Sequence, residues 1–189
     1  RQMCIRDRGM GYFVDDQNSD NMVVGLSHPR WMNGENNTLP TSGGGWDWAP
    51  IREINMFFDN YHLCESPFET YAQTYGEACF LKAYKYHELV MKFGDVPWYT
   101  HVLSENDEEE LNRPRDPRAL VVDSIMGLID KSIEFLEPRS EVGNNRLNKE
   151  TALIYKSRVA LYEATWSKYH EGTAFASGVD ANKYFKKVI

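Results

Sequence analysis

The stretch YGEACFLKAYKYHELVMKFGDVPWY, Tyr75 to Tyr99, decides the fold. With the residues just before it, it places Tyr71, Tyr75, Ala78, Cys79, Leu81, Tyr86, Leu89, Val90 and Phe93 at spacings of three and four. That spacing predicts one face of a long α-helix opened by Pro67. Gly94 and Pro97 stop it: glycine accepts a left-handed backbone, and proline has no N–H to continue the ladder.

The same pattern extends on both sides. Asp47 is placed to cap an earlier helix, with Pro50 in its opening turn and Ile51, Ile54, Phe57, Phe58 and Tyr61 on its apolar face. A third helix is predicted from about Pro117, carrying Val121, Val122, Ile125, Leu128, Ile129, Ile133 and Leu136. A fourth starts near Asn148 with Ala152, Tyr155, Val159, Leu161, Tyr162 and Trp166 on its packing face. Gly172 to Gly178 reads as a turn, and Ala181 to Ile189 as the opening of a fifth helix. The acidic run Glu105 to Glu110 reads as a solvated linker surface. No useful β-alternation occurs. The expected class is all-α: antiparallel helical hairpins with packing like that of tetratricopeptide (TPR) repeats, plus an irregular loop-rich N-terminal segment. Ala72, Ala78, Ala83, Ala152, Ala160 and Ala164 let paired helices approach closely, although the full TPR pattern is absent.

Three segments are expected. Residues 1–8, RQMCIRDR, read as foreign to the natural protein, and both ends as cuts in a longer gene product. Residues 9–47 are loop-rich in Asn, Asp and Gly. Residues 48–189 form the helical part.

Across 189 residues, 21 Lys and Arg stand against 28 Asp and Glu, a net charge of -7. This balance argues against a nucleic-acid phosphate binder and disfavours docking on an anionic membrane. No apolar run reaches the roughly 18 residues of a membrane-spanning helix. Cys4, Cys64 and Cys79 form no CxxC pair; Cys64 and Cys79 could pair, but small buried thiols are the simpler reading. Asp16 to Asp20 resembles the opening of a calcium loop but lacks the glycine and glutamate it needs. The five histidines show no metal spacing, and no P-loop, GxGxxG or GxSxG is present. No cofactor, metal or catalytic residue is assigned. Glu77 is expected to bond between hairpin helices rather than to catalyse.

Four segments together carry a resemblance: WAPIREINMFFDN (Trp48 to Asn60), Tyr75 to Tyr99, Arg113 to Pro138, and RLNKETALIYKSRVALYEA (Arg146 to Ala164). In this order they resemble the SusD/RagB family of outer-membrane nutrient-binding lipoproteins. The most specific pieces are Gly76-Glu77-Ala78, Lys82-Ala83 and Phe93-Gly94-Asp95-Val96-Pro97. The family usually has Arg where this chain has Lys82, and often Tyr in place of Trp48. The resemblance implies a non-enzymatic, surface-exposed protein of the cell outer membrane, held by a lipid anchor not contained in this sequence. It would capture an oligosaccharide and deliver it to a SusC-like TonB-dependent transporter, with TPR-like hairpins touching the transporter and loops holding the glycan.

Tryptophans give that expectation its chemistry. A sugar presents an apolar C–H face that an indole covers and hydroxyls that Asn or Asp bonds. Trp31, Trp46 and Trp48 lie in or beside the polar loop, with Asn33 and Asp47 as candidate hydroxyl partners. The competing reading is that these indoles pin the loop. Two other functions are consistent with the sequence: a helical-repeat module that binds only protein, or an α-helical glycosidase, for which no carboxylate pair is identified.

Overall fold

A computed structural model describes residues 44–143 and 145–188 of the chain. The chain divides into two compact units, Arg1–Trp46 and Asp47–Ile189. Of the first, only Gly44, Gly45 and Trp46 are described.

The second unit is helical. Its elements are α1 (Ala49–Asn60), a 3-10 turn (Tyr61–Leu63), α2 (Phe68–Phe93), α3 (Glu108–Asn112), α4 (Arg118–Phe135), α5 (Arg139–Val142), α6 (Lys149–Tyr169) and α7 (Ala181–Phe185). Among the described residues no strand occurs; Val96 and Asp116 form one isolated antiparallel bridge. No described helix is long and apolar enough to cross a membrane.

Local chemistry sets the ends. Pro67 and Pro117 precede the first residues of α2 and α4. Asn148 caps α6 by accepting the Thr151 N–H at 2.9 Å. Gly94 ends α2 at φ +70°, a conformation costly for a residue with a Cβ.

α2 and α4 run antiparallel. The end of α2 meets the start of α4 where Asp95 accepts the Arg118 N–H at 2.8 Å. Near the other end, a Cβ on Gly76 would lie 3.2 Å from Leu136, so glycine permits this close approach. α6 returns along α4, fixed by Arg118–Glu163 near one end and Lys156–Asp130 towards the other. Between them, Ala83, Tyr86 and Val90 of α2 pack with Val121, Val122, Ile125, Met126 and Ile129 of α4 and Val159, Ala160 and Ala164 of α6. Phe80, Leu136 and Ala152 form a second cluster.

Arg118 and Glu163 are 5% and 1% exposed. Two bonds join them, Nε to Oε2 at 2.9 Å and Nη2 to Oε1 at 2.8 Å. The guanidinium also lies 4.0 Å from the Trp166 ring centroid. A bidentate pair of this kind is among the stronger charge-assisted contacts, and each ion offsets the other's desolvation.

The segment between α2 and α4 has little regular backbone pairing, so side chains satisfy it. Asn55 donates to the carbonyls of Tyr99 and His101, Tyr86 accepts the Tyr99 N–H, Asp59 the Val102 N–H, and Asp116 the Trp98 N–H. Arg113 bonds both the Trp98 carbonyl and Asp116.

Several expectations are corrected. Glu108 to Asn112 winds into a short helix, as an acidic first turn favours. A further short helix, α5, lies in the segment expected only to end α4. α7 stops at Phe185 instead of running to the end of the chain. Leu81 and Leu161 face solvent, because a three-and-four stripe wider than the contact leaves its edge uncovered. Glu77 pairs with Arg146 at 2.9 Å rather than with a buried partner on a neighbouring long helix, and Lys82 bonds Asn55. Cys64 and Cys79 are both free, the first exposed and the second buried; burial pushes the Cys79 thiol up to about 11.

Two outcomes test this packing. Glu163→Gln leaves Arg118 buried without a counter-charge and should cost roughly 3–5 kcal/mol in urea unfolding, while Arg118→Met with Glu163→Leu should cost far less. The second concerns His87, 2% exposed, with Nδ1 3.0 Å from the Tyr155 hydroxyl and Nε2 buried without a partner. Burial, then the charges of Arg118 and Arg158, hold its pKa down at about 4 against 6.5 for an ordinary histidine. Between these values the unfolded chain binds the extra proton. The His87 contribution is therefore complete above pH 6.5 and is lost as pH falls towards 4, by up to about 3 kcal/mol. His87→Gln should flatten stability across that window in unfolding curves taken at each pH.

Candidate functional site

The sequence assigns Trp31, Asn33, Trp46, Asp47 and Trp48 to a ligand site. Trp31 and Asn33 lie outside the described residues. Trp46 follows two glycines at φ +66° and +80° and is 37% exposed. The turn needs those glycines, since other residues rarely adopt positive φ.

Asp47 and Trp48 begin the helical unit. One Asp47 carboxylate oxygen accepts the Ala49 N–H at 3.0 Å, at the start of α1. The other oxygen makes no bond among the described residues. Trp48 is half-buried, and its carbonyl accepts the first α1 hydrogen bond, from Arg52 at 2.9 Å. Its ring meets Tyr99 edge-on with centroids 5.4 Å apart, and Tyr86 at 6.1 Å. Tyr86 in turn packs on Trp98 at 4.1 Å and bonds the Tyr99 backbone. Burial pushes the Tyr86 phenol well above its ordinary value, so it stays neutral and keeps its proton to donate. The geometry gives Trp48 a structural contact on two sides and gives Trp46 solvent access.

Beneath this corner lies Lys82, 4% exposed. Its ammonium bonds the Asn55 side-chain oxygen and lies 5.3 Å from the Phe58 ring centroid and 5.6 Å from that of Trp98. Burial holds its pKa down at about 8. With Asn55 bonded to two linker carbonyls, Lys82 positions the linker.

Two concave regions lie at the far end of α6. One, of about 720 Å³, is lined by Lys168, Glu171, Ser177, Asp180, Asn182 and Phe185, among others. A smaller one, of about 250 Å³, lies between the α2 stop and the loop after α6. Its exposed ring, Phe175, lies within the stretch 172–178 that the sequence marks as a turn. An aromatic among Gly, Thr, Ala and Ser was the available signal.

The comparisons with known proteins agree with one another. Residues 18–161 match a family model of SusD-like proteins described as starch-binding and associating with the outer membrane. A solved SusD-like protein from Bacteroides fragilis is similar at 27% identity and TM-score 0.56, over 73% of this chain and 24% of that one. A laminarin-binding SusD-like protein is similar in fold at 22% identity and TM-score 0.54, over 61% of this chain and 25% of that one. Surface glycan-binding protein A from Bacteroides uniformis is similar in fold at 18% identity and TM-score 0.51, over 73% and 29%. The chain thus spans about a quarter of the length of the solved proteins it matches. No curated protein matches it.

Trp48→Ala should cost about 3 kcal/mol, the low end for a large aromatic because the ring is half-buried. Near-ultraviolet circular dichroism should lose signal from the Tyr86–Tyr99 corner. Unchanged stability would mean that the ring contacts contribute nothing.

Proposed function

Because the chain belongs to the SusD-like family described as starch-binding and outer-membrane-associated, we propose that it is part of a cell-surface glycan-binding protein. The protein captures an oligosaccharide at the outer membrane, where a lipid anchor holds it, and passes it to a SusC-like TonB-dependent transporter. Its role is binding without bond cleavage. The observation that carries this reading is the family match over residues 18–161, which includes most of α1 to α6. Solved relatives described as binding laminarin or surface glycans support it.

In this reading Trp46 stacks on a sugar ring. Its exposed indole supplies the apolar face, and Asp47 has a carboxylate oxygen left to accept a hydroxyl. Trp31 or Trp48 extends the platform, and Asn33 is the alternative hydroxyl partner to Asp47. The transporter meets the helical part, where Leu153, Ile154 and Leu161 of α6 are exposed.

Calorimetry on the complete protein separates the roles. Trp46→Ala should weaken glycan binding by about 1 kcal/mol or more, roughly fivefold, while the helical signal and melting persist. A variant that loses binding only in proportion to its loss of fold would make Trp46 a loop pin. Cleavage of the oligosaccharide by the wild-type protein would refute the non-enzymatic reading.

A further inference from the structure

The 250 Å³ pocket at the end of α2 has a construction that packing alone leaves unexplained. Phe175 is 69% exposed, yet its backbone is held at two points. Its carbonyl accepts the Trp166 indole N–H at 3.1 Å, and its N–H donates to the Thr173 hydroxyl at 3.2 Å. Trp166 is itself in contact with two flat groups. The His170 ring stacks on it at 3.9 Å and 15°, and the Arg118 guanidinium lies 4.0 Å from its centroid. The pinned loop therefore holds a large apolar ring at the surface of the described residues. Those two hydrogen bonds already restrict the backbone that carries the ring, which lowers the entropic cost of ordering it against a ligand.

Opposite chemistry lines the same pocket. Asp95 accepts the Arg118 N–H through Oδ1 at 2.8 Å, while Oδ2 makes no bond among the described residues. Arg115 also lines the pocket and carries a planar fork of donors. Gly94 leaves the approach open, since a Cβ there would meet nothing within 4 Å. A pocket lined by both a carboxylate and an arginine suits neither a simple anion nor an apolar chain. It suits a neutral polyhydroxyl ring that donates one hydroxyl to Asp95, accepts from Arg115 at another, and rests its C–H face on Phe175. The volume is below the roughly 300–1,000 Å³ of sites that enclose a drug-sized ligand, so it holds one ring of a longer chain.

We propose that Phe175, Asp95 and Arg115 form a second glycan contact on the helical unit, holding a single neutral pyranose unit. This rests on the glycan-binding reading above and adds a site away from the tryptophan loop. The site is already shaped by the Arg118–Trp166–His170 stack, so binding needs no rearrangement of the helices.

The test uses the complete protein labelled with 15N at tryptophan, titrated with neutral hexasaccharides including maltohexaose and laminarihexaose. The Trp166 indole N–H, bonded to the Phe175 carbonyl, is the reporter. We expect its resonance to shift on titration with the bound sugar. Phe175→Ala should weaken binding about threefold to tenfold while leaving the sugar-free spectrum and the melting curve unchanged. Phe175→Trp should retain or tighten binding, and Arg115→Gln gives an independent variant should Phe175→Ala fold poorly. A hexasaccharide that binds, leaves Trp166 unmoved and is indifferent to both the Phe175 and Arg115 variants overturns this site while the glycan-binding reading stands. If no hexasaccharide binds at all, both fall. If Phe175 is instead protected only by a protein partner, the sugar site is overturned in favour of a docking contact.

Discussion

A buried arginine must be matched, and the match of Arg118 with Glu163 organises the helical unit. Arg118 is the first residue of α4, so its backbone N–H has no partner within its own helix. Asp95, just past the α2 stop, accepts it. The side chain then crosses to α6, where both carboxylate oxygens of Glu163 and the face of Trp166 receive it. One residue thereby ties the end of α2, the start of α4 and the body of α6. The Gly94-Asp95-Val96-Pro97 stretch follows from the same constraint. Gly94 turns the chain, Asp95 caps α4, and Val96 is fully buried beside the bridge to Asp116.

Helix existence was legible because it is written locally. Pro67, Gly94, Pro117 and Asn148 mark boundaries by their own backbone or capping chemistry, and the structure places helix ends beside each of them. What faces what was less legible. Periodicity assigns a stripe, but neighbouring helices decide how much of its width is covered, so Leu81 and Leu161 were assigned to faces they do not occupy. Long-range polar partners were not legible at all. Glu163 looks like any helix-surface glutamate, and nothing in a single sequence joins it to an arginine 45 positions earlier. The same holds for Lys82 with Asn55 and for Arg146 with Glu77.

The site divides in the same way. That tryptophans beside a polar loop suit a sugar is chemistry a sequence can carry. Whether an indole is wrapped or presented depends on its neighbours. Trp48 meets Tyr86 and Tyr99, whereas Trp46, two residues away, retains solvent access. Phe175 carries only a local mark, an aromatic within a turn; the hydrogen bond that its carbonyl accepts from Trp166, nine residues earlier, follows from no spacing rule.

The separation of Arg118 from its counter-ion also orders the assembly of the chain. The α2–α4 hairpin is contiguous in sequence and comes together from the chain that contains it. Its seam nevertheless holds a guanidinium whose carboxylate lies on α6, 45 residues downstream. Until α6 arrives, Arg118 keeps its water and the Val90–Trp98 end of the hairpin cannot close dry. Drying that end without α6 would leave a buried charge unpaired, and the Glu163 carboxylate offsets that cost when α6 packs. The ion pair thus adds a charged dependence of the hairpin on α6 to the apolar core that the three helices share.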